Sequence, residues 1–346
     1  KKLLGLAVLA FVRILKGLFR PGKPAPFASF FWKATVKGLY HYFLKQYEME
    51  NINYQVDYVY DDYNAGHVTA TIAANQQGRK RVGASHAATI YDTPQLAFVH
   101  FDRYVVSCSI YTNTFYPHWE SLRLEKIGRG SIDSIFYEKK RCKHTLKKIE
   151  KLYGKRKWVV TFMFPGNVEI CFPEQWDKIY QALSRFSEIE LDCHVFFRFR
   201  NMESVERYPI IKKISALSDK DPRIHVEQQE FNTHQVMVVS DLVITGASSF
   251  GINEAAVIGI PVYTFCYTRA EPLYFSEYGS DFVLQEASDV LKVLNGLKTD
   301  FQGFDCNWER LRKDADYHQD GENSLRLCDV VYESTLDQTR LQTNHE

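Results

Sequence analysis

The sequence predicts an α/β chain built as two doubly wound domains, and three observations carry that reading. Short apolar, β-branched runs alternate with helical or loop segments from residue 56 onward, the pattern of parallel sheets with crossover helices. The alternation falls into two groups, separated by a lysine- and arginine-rich stretch at 138–157. At 346 residues, 45% hydrophobic and 25% charged, the chain is long enough for two cores of ordinary composition. The expected units are a basic, apolar helical segment over 1–50, a first domain over 51–150, a second over 151–305, and C-terminal helices with a tail over 306–346.

In the first domain, VDYVYDD (56–62), KRVGASH (80–86), RYVVSCS (103–109) and LEKIGRG (124–130) are expected strands. EKKRCKHTLKKIEKLYGKRK (138–157) is expected to be a helical, solvated connector with a glycine near its end. The second domain then reads in order. KWVVTFMF is a strand, PGNVEI a loop and EQWDKIYQALSRF an amphipathic helix. CHVFFRFR is a strand, IIKKISAL a helix, IHVEQ a strand, and NTHQVMVVSD a helix capped by Asn232 or Thr233. LVIT, a turn, a short helix and PVYTF close the unit. Ligands bind such sheets beyond the carboxyl ends of the strands, so the loops at 165–168, 198–201 and 245–249 mark the expected edge of a site.

The first fifty residues stand apart. They carry nine basic residues against Glu48 and Glu50, a net +7. LLGLAVLAFV (3–12) and FASFFW (27–32) are apolar. Ten apolar residues fall short of the ~20 that span a bilayer, and no small-residue cleavage site follows cleanly, as a signal peptide would need. Basic residues beside Leu, Phe and Trp suit a helix lying on an anionic membrane face, with a basic-flanked core helix as the alternative. The chain begins at Lys1 rather than Met, as expected of a processed chain or a piece of a longer one.

Charge and cysteine content exclude several classes. A net charge of +1 gives no global electrostatic case for nucleic acid. The 7 cysteines form no CxxC pair; an odd, scattered set argues for reduced thiols in a cytoplasmic setting and weakens a zinc reading.

The turn TGASSFGINEAAVIGIPVYTF (245–265) is where function is expected. Gly246 and Ala247 keep it thin enough for a ligand to approach the backbone. Ser248 and Ser249 have hydroxyls that cap a helix or bind an anion, and the helix start favours phosphate. Glu254 can accept two hydrogen bonds from a ribose diol. Arg198 and Arg200 share a strand face, and one of them can neutralise a diphosphate, with Arg198 the candidate. Gly166 and Asn167 would shape the loop where phosphate enters. On the first domain, His86 ends a strand, where a turn histidine is as common as a functional one. Asp61 and Asp62 end another strand; surface or capping acids are the commoner role there, and Asp62 is carried as the acidic catalytic candidate.

SDLVITGASSFGINEAAVIGIPVYTF (240–265) resembles the nucleotide-binding segment of GT-B glycosyltransferases, above all bacterial enzymes of capsule, lipopolysaccharide and teichoic-acid assembly. The family run D-x-x-I-T-x-x-S-S…E-A…G-x-P-V carries donor pyrophosphate and ribose, and falls on Ser248, Ser249 and Glu254. GRKRVGASHAATIY (78–91) resembles the first-domain G-I-P-x-V…Q-H-G turn and puts His86 at the cleft. LEKIGRGSID (124–133) resembles V-x-G-x-P-x-x-D, and DGENSLRLCDVV (320–331) resembles the final-helix D-G-x-A-S-x-R-I-x-D. The likeness covers residues 56–331. The chain departs from the pattern in two places. The family His-Gly is His86-Ala87, and its R-P-H-P is Arg198-Phe199-Arg200-Asn201, without the histidine. The first domain also shows fewer strands than a full GT-B domain, so residues 1–55 are expected to take their place or a segment is missing.

The resemblance implies two Rossmann-like domains and transfer of a sugar from a nucleotide-sugar donor to a glycan or lipid-linked acceptor in surface polysaccharide assembly. It implies no metal or other cofactor, and His86 as base for the acceptor hydroxyl or donor to the leaving phosphate. The alternatives are CDP-polyol phosphotransfer, which shares the donor motif, a nucleotide-sugar epimerase, and a non-catalytic binding protein that keeps the fold. The expected location is the cytoplasm, on the inner face of the cell membrane through residues 1–50.

Overall fold

The computed structural model describes residues 39–40, 42–52, 54–59, 66–84, 101–110, 123–163, 173–199, 209–226, 230–246, 249–265 and 275–343. Four strands, β1 (Val56–Val59), β2 (Lys80–Ala84), β3 (Arg103–Val105) and β4 (Arg123–Glu125), pair in parallel in chain order. Six more form a second all-parallel sheet: β5 (Trp158–Met163), β6 (Cys193–Arg198), β7 (Ile224–Val226), β8 (Leu242–Gly246), β9 (Val262–Phe265) and β10 (Val283–Leu284). Their order is β10-β9-β8-β5-β6-β7. Counted from its own first strand, and read from the β7 edge, the sheet runs 3-2-1-4-5-6, so the order reverses between β5 and β8.

The helices are α1 (Gly66–Gln76), α2 (Asp133–Lys140), α3 (Cys142–Tyr153), α4 (Pro173–Ser184), α5 (Pro209–Ser218), α6 (Thr233–Met237), α7 (Gly251–Val257), α8 (Ala287–Gly296), α9 (Trp308–Ala315) and α10 (Asn323–Thr343). The cap anticipated for α6 is present: Asn232 and Gln235 form a reciprocal capping box. Every residue of β6 and β8 is buried, which is why they read as continuous apolar runs rather than alternating ones. Val160, Phe162, Val195 and Phe197 pack with Trp176 and Ile179 of α4, Ile211 and Ile214 of α5, and Val290 and Val293 of α8. On the opposite face, Met163, Val243 and Val262 pack with α7, while Val159 and Phe196 meet Ile149 of α3.

The lysine-rich connector differs from its expectation. It is two helices, α2 and α3, with Arg141 between them, and Gly154 ends it at φ 87°. It is not a wholly solvated rod, because Ile135, Glu138, Thr145 and Ile149 are buried. Its lysines and arginines lie on the outer face.

The last helix returns to the first sheet. Buried Arg103 on β3 pairs with Glu125 at 2.6 Å and Glu333 of α10 at 2.9 Å, and donates to the Val330 carbonyl at 3.0 Å. At the start of α10, Asp133 accepts from the backbone N–H of Asn323 (3.0 Å) and Ser324 (2.7 Å). Asn323, fully buried, donates to Asp316 at 3.0 Å. Gly128, at φ 85°, has no room for a side chain, since a Cβ would collide with Asp316 and Asn323. The Gly128–Asp133 and 320–331 motifs thus meet each other and clamp α10.

At the amino edge of the second sheet, opposite the expected site, His194 and His225 form a buried ring pair at 2.9 Å. Burial, reinforced by the neighbouring His194, pushes the His225 imidazole down to about 4. Five described cysteines, Cys108, Cys142, Cys193, Cys306 and Cys328, are in no disulfide bond. Among the described residues, no helix is long and apolar enough to cross a membrane. The apolar runs of residues 1–38 lie outside the described residues.

Candidate functional site

Where strand order reverses, neighbouring loops leave a sheet in opposite directions and open a crevice. Here that point lies beyond Met163 of β5 and Gly246 of β8. Arg198 is the register partner of Met163 on the adjacent strand, so both side chains face the sheet surface that α7 covers. Arg198 is 8% exposed. Thr245 and Thr264 are register partners one strand further on, at 1% and 0% exposure, and the hydroxyl of each has no hydrogen-bond partner. The edge beyond β6, β5, β8 and β9 therefore holds a buried guanidinium and two buried hydroxyls. Burying the two threonine hydroxyls without a partner is costly.

The turn itself is tight. Ser249 N–H donates to the Gly246 carbonyl at 2.9 Å. Ser249 does not take the N-cap position: Phe250 holds it, and Ser249 Oγ instead accepts from the Gly251 N–H at 3.1 Å. A Cβ at Gly251 would lie 3.1 Å from Met163 Cε and 3.2 Å from Ser249 Oγ, so the glycine lets the helix start approach β5. The helix runs only seven residues, and all of them are buried.

Two polar side chains of α7 have partners that their spacing did not reveal. Asn253, 0% exposed, donates through Nδ2 to the Ala315 carbonyl at 2.9 Å and to Cys108 Sγ at 3.0 Å, tying α7 to both α9 and the first domain. Glu254 Oε1 lies 3.2 Å from His234 Nε2, with the two side chains 12% and 22% exposed. The other ring nitrogen, His234 Nδ1, is 2.7 Å from Ser134 Oγ on α2. Ser134, His234 and Glu254 thus form one string from the connector to the turn helix. Nothing in local sequence marks it, because its members are 100 and 20 residues apart. A further contact joins the domains: the Arg129 guanidinium sits 3.8 Å from the centre of the Phe250 ring.

Of the sequence candidates, Arg198, Gly246, Ser249 and Glu254 share the carboxyl edge of the second sheet. Asp62, His86, Gly166, Asn167 and Ser248 lie outside the described residues. Asp241, the acid of the D-x-x-I-T run, pins the opposite edge, where its carboxylate accepts from Val159 N–H at 2.8 Å. Among the described residues, no group of three or more His, Cys, Asp or Glu is placed to hold a metal ion.

No family model matches the chain, and no curated protein matches it. Solved structures do. UDP-GlcNAc 2-epimerase from Neisseria meningitidis bound to UDP-GlcNAc superposes with a TM-score of 0.59 at 15% identity, over 91% of this chain and 84% of that one. The S. aureus MnaA–UDP co-structure gives 0.58 at 14% identity, over 85% and 80% of the two chains. A variant of the wall teichoic acid polymerase TagF gives 0.52 at 13% identity, over 76% and 70%. At such identities the likeness is one of fold. Two Rossmann-like domains, a parallel sheet in each and a final helix crossing back to the first are the architecture of this chain, and it has the GT-B fold.

Proposed function

We propose that the chain is a nucleotide-sugar enzyme that transfers the sugar to a glycan or lipid-linked acceptor, with the donor held on the second domain. The observation that carries this reading is the meeting of Arg198, Ser249 and Glu254 on one sheet edge, at the reversal of strand order. Each has a chemistry that a nucleoside diphosphate needs. Arg198 supplies charge to a diphosphate in a setting shielded from water. Ser249 keeps a hydroxyl donor beside a backbone turn. Glu254 offers a carboxylate to a ribose diol, in competition with His234.

In the proposed reaction, His86 takes the proton of the acceptor hydroxyl. The hydroxyl oxygen forms a bond to the anomeric carbon as the bond to the diphosphate oxygen breaks. The negative charge that moves onto the leaving diphosphate is met by Arg198, with Ser248 and Ser249 donating and Gly166 and Asn167 shaping the loop above. No metal or other cofactor enters this scheme. Residues 1–50 would hold the enzyme against an anionic membrane face, where lipid-linked acceptors lie.

A second reading is isomerisation of the nucleotide-sugar itself. It is favoured by the UDP-GlcNAc 2-epimerase likeness, which spans 91% of this chain. The two readings separate in one experiment. The protein is incubated with UDP-, CDP-, GDP- and CMP-linked sugars, with and without a glycan or lipid-linked acceptor, and the nucleotides are resolved by anion-exchange chromatography and NMR. Transfer releases free nucleotide only when acceptor is present. Accumulation of an isomeric nucleotide-sugar without acceptor would replace the transfer reading.

A further inference from the structure

A polar string crosses from the connector to the turn helix, and its geometry fixes where its protons lie. Ser134 on α2 has one hydroxyl proton and two close neighbours, the Ser131 carbonyl at 2.7 Å and His234 Nδ1 at 2.7 Å. A carbonyl can only accept, so the hydroxyl proton goes to Ser131. Ser134 Oγ is then the acceptor for His234, and Nδ1 carries a proton. That leaves Nε2 as the ring nitrogen that gains or loses one. Nε2 lies 3.2 Å from Glu254 Oε1. With a proton on Nε2 the contact is an ion pair. Without it, a lone pair faces a carboxylate oxygen and the attraction is gone.

His234 is the one ionisable residue of α6, and Glu254 the one of α7. The charges on the helices packed around them have other partners. On α2, Asp133 accepts from the start of α10, and Lys139 donates to the Ile258 carbonyl at 2.8 Å. On α3, Lys148 meets the Glu230 carboxylate at 3.0 Å and its carbonyl at 2.9 Å. Glu138 is the exception. Buried one turn beyond Ser134, it has Oε1 3.5 Å from Asn232 Nδ2 and no hydrogen-bond partner for Oε2.

We propose that Ser134 and His234 form a proton gate on Glu254. Ser134 holds the ring so that Nε2 meets the carboxylate. A proton on Nε2 keeps Oε1 against His234, and its loss to solvent frees both oxygens for a ligand that donates two hydrogen bonds, such as a ribose diol. Ligand and proton then oppose each other reciprocally, so affinity is highest where Nε2 is bare and falls as the pH is lowered. The identity of the ligand rests on the nucleotide-sugar reading; the string itself does not.

The test has two arms, both in the intact chain. The first uses no ligand. Ring-nitrogen NMR signals of His234, assigned by their loss in His234→Gln, are followed over about pH 5–8, where imidazoles titrate. Nδ1 should keep its proton throughout, while Nε2 gives up its own as the pH rises. Ser134→Ala should let the neutral ring carry its proton on Nε2, and Ser134→Thr, which keeps the hydroxyl, should restore the parent spectrum. A neutral parent ring protonated on Nε2, or a ring that Ser134→Ala leaves unchanged, would overturn the string. The second arm titrates UDP-, CDP-, GDP- and CMP-linked sugars, whose phosphates hold no proton in this window, by calorimetry at its two ends. The donor that binds should do so about two- to fivefold more weakly at the acid end, the worth of a partly exposed ion pair. His234→Gln should remove that dependence and Glu138→Gln should keep it, with melting curves at both ends checking that each variant is folded. Equal parent affinity at both ends, or the same dependence in His234→Gln, overturns the gate. If no donor binds, the nucleotide-sugar reading fails, and the ring spectra decide the string without it.

Discussion

Glu254 is the residue on which the donor-site reading can be pressed hardest, because the structure gives it a competitor. Its carboxylate is 12% exposed and one oxygen lies 3.2 Å from His234 Nε2. A ribose diol bound there would make charge-assisted hydrogen bonds worth about 1.5–3 kcal/mol net. It would also disturb the partly buried Glu254–His234 contact, worth about 0.5–1 kcal/mol. Glu254→Ala should therefore weaken binding of the cognate nucleoside diphosphate by the difference, about 0.5–2.5 kcal/mol, roughly two- to 70-fold. His234→Ala removes only the competitor, and should tighten binding by about 0.5–1 kcal/mol, or two- to fivefold. The double variant should match Glu254→Ala, because the gain depends on the carboxylate being present. Isothermal titration of the four proteins with one nucleotide gives the cycle. Equal affinity of parent and Glu254→Ala would remove Glu254 from the site. Weaker binding by His234→Ala, as large as that of Glu254→Ala, would mean that the string Ser134–His234–Glu254 is itself the binding element.

Three other outcomes are expected. Folded His225 takes up its proton only near pH 4, whereas an unfolded imidazole titrates near 6.5. Across that window the unfolded chain holds more protons, so stability is present above 6.5 and lost as the pH falls toward 4; melting curves of His225→Gln should show a shallower loss, and an unchanged slope would remove the histidine pair as its cause. His86→Ala should lower turnover by about 10²–10⁴-fold and leave nucleotide affinity unchanged, and a fully active variant would return His86 to a structural role. Residues 1–50, at +7, should bind vesicles of anionic lipid, weakening between low and physiological salt and vanishing on neutral vesicles. Deleting residues 1–22 should abolish that binding without changing the melting curve. A loss of cooperative melting instead would identify LLGLAVLAFV as core.

The sheets were legible in sequence because buried parallel strands are continuous apolar runs, as in LVIT and CHVFFR. β10 was not, since two residues after a glycine-containing turn carry no period. The connector misled through composition: its lysines outnumber the stripe of Ile135, Thr145 and Ile149 that packs inward. Sequence position placed Ser249 and Glu254 on the sheet edge, but did not reveal their partners. His234 reaches Glu254, and Asn253 reaches Cys108, across sequence separations that no local pattern encodes. Motif resemblance likewise mixed two kinds of residue. Asp241, Asp133 and Asn323 hold strands and helix ends together, whereas Arg198 lies buried at the carboxyl end of β6, in register with Met163.

The most direct measurement of the central claim is nucleotide binding by the second domain in the intact chain. A panel of UDP-, CDP-, GDP- and CMP-linked donors is titrated by thermal shift and calorimetry against the parent and Arg198→Met. One donor class should raise the melting temperature of the parent, and the same donor should bind Arg198→Met at least about tenfold more weakly, from the lost guanidinium–diphosphate contact. No binding by any donor, or equal binding by parent and variant, would contradict it.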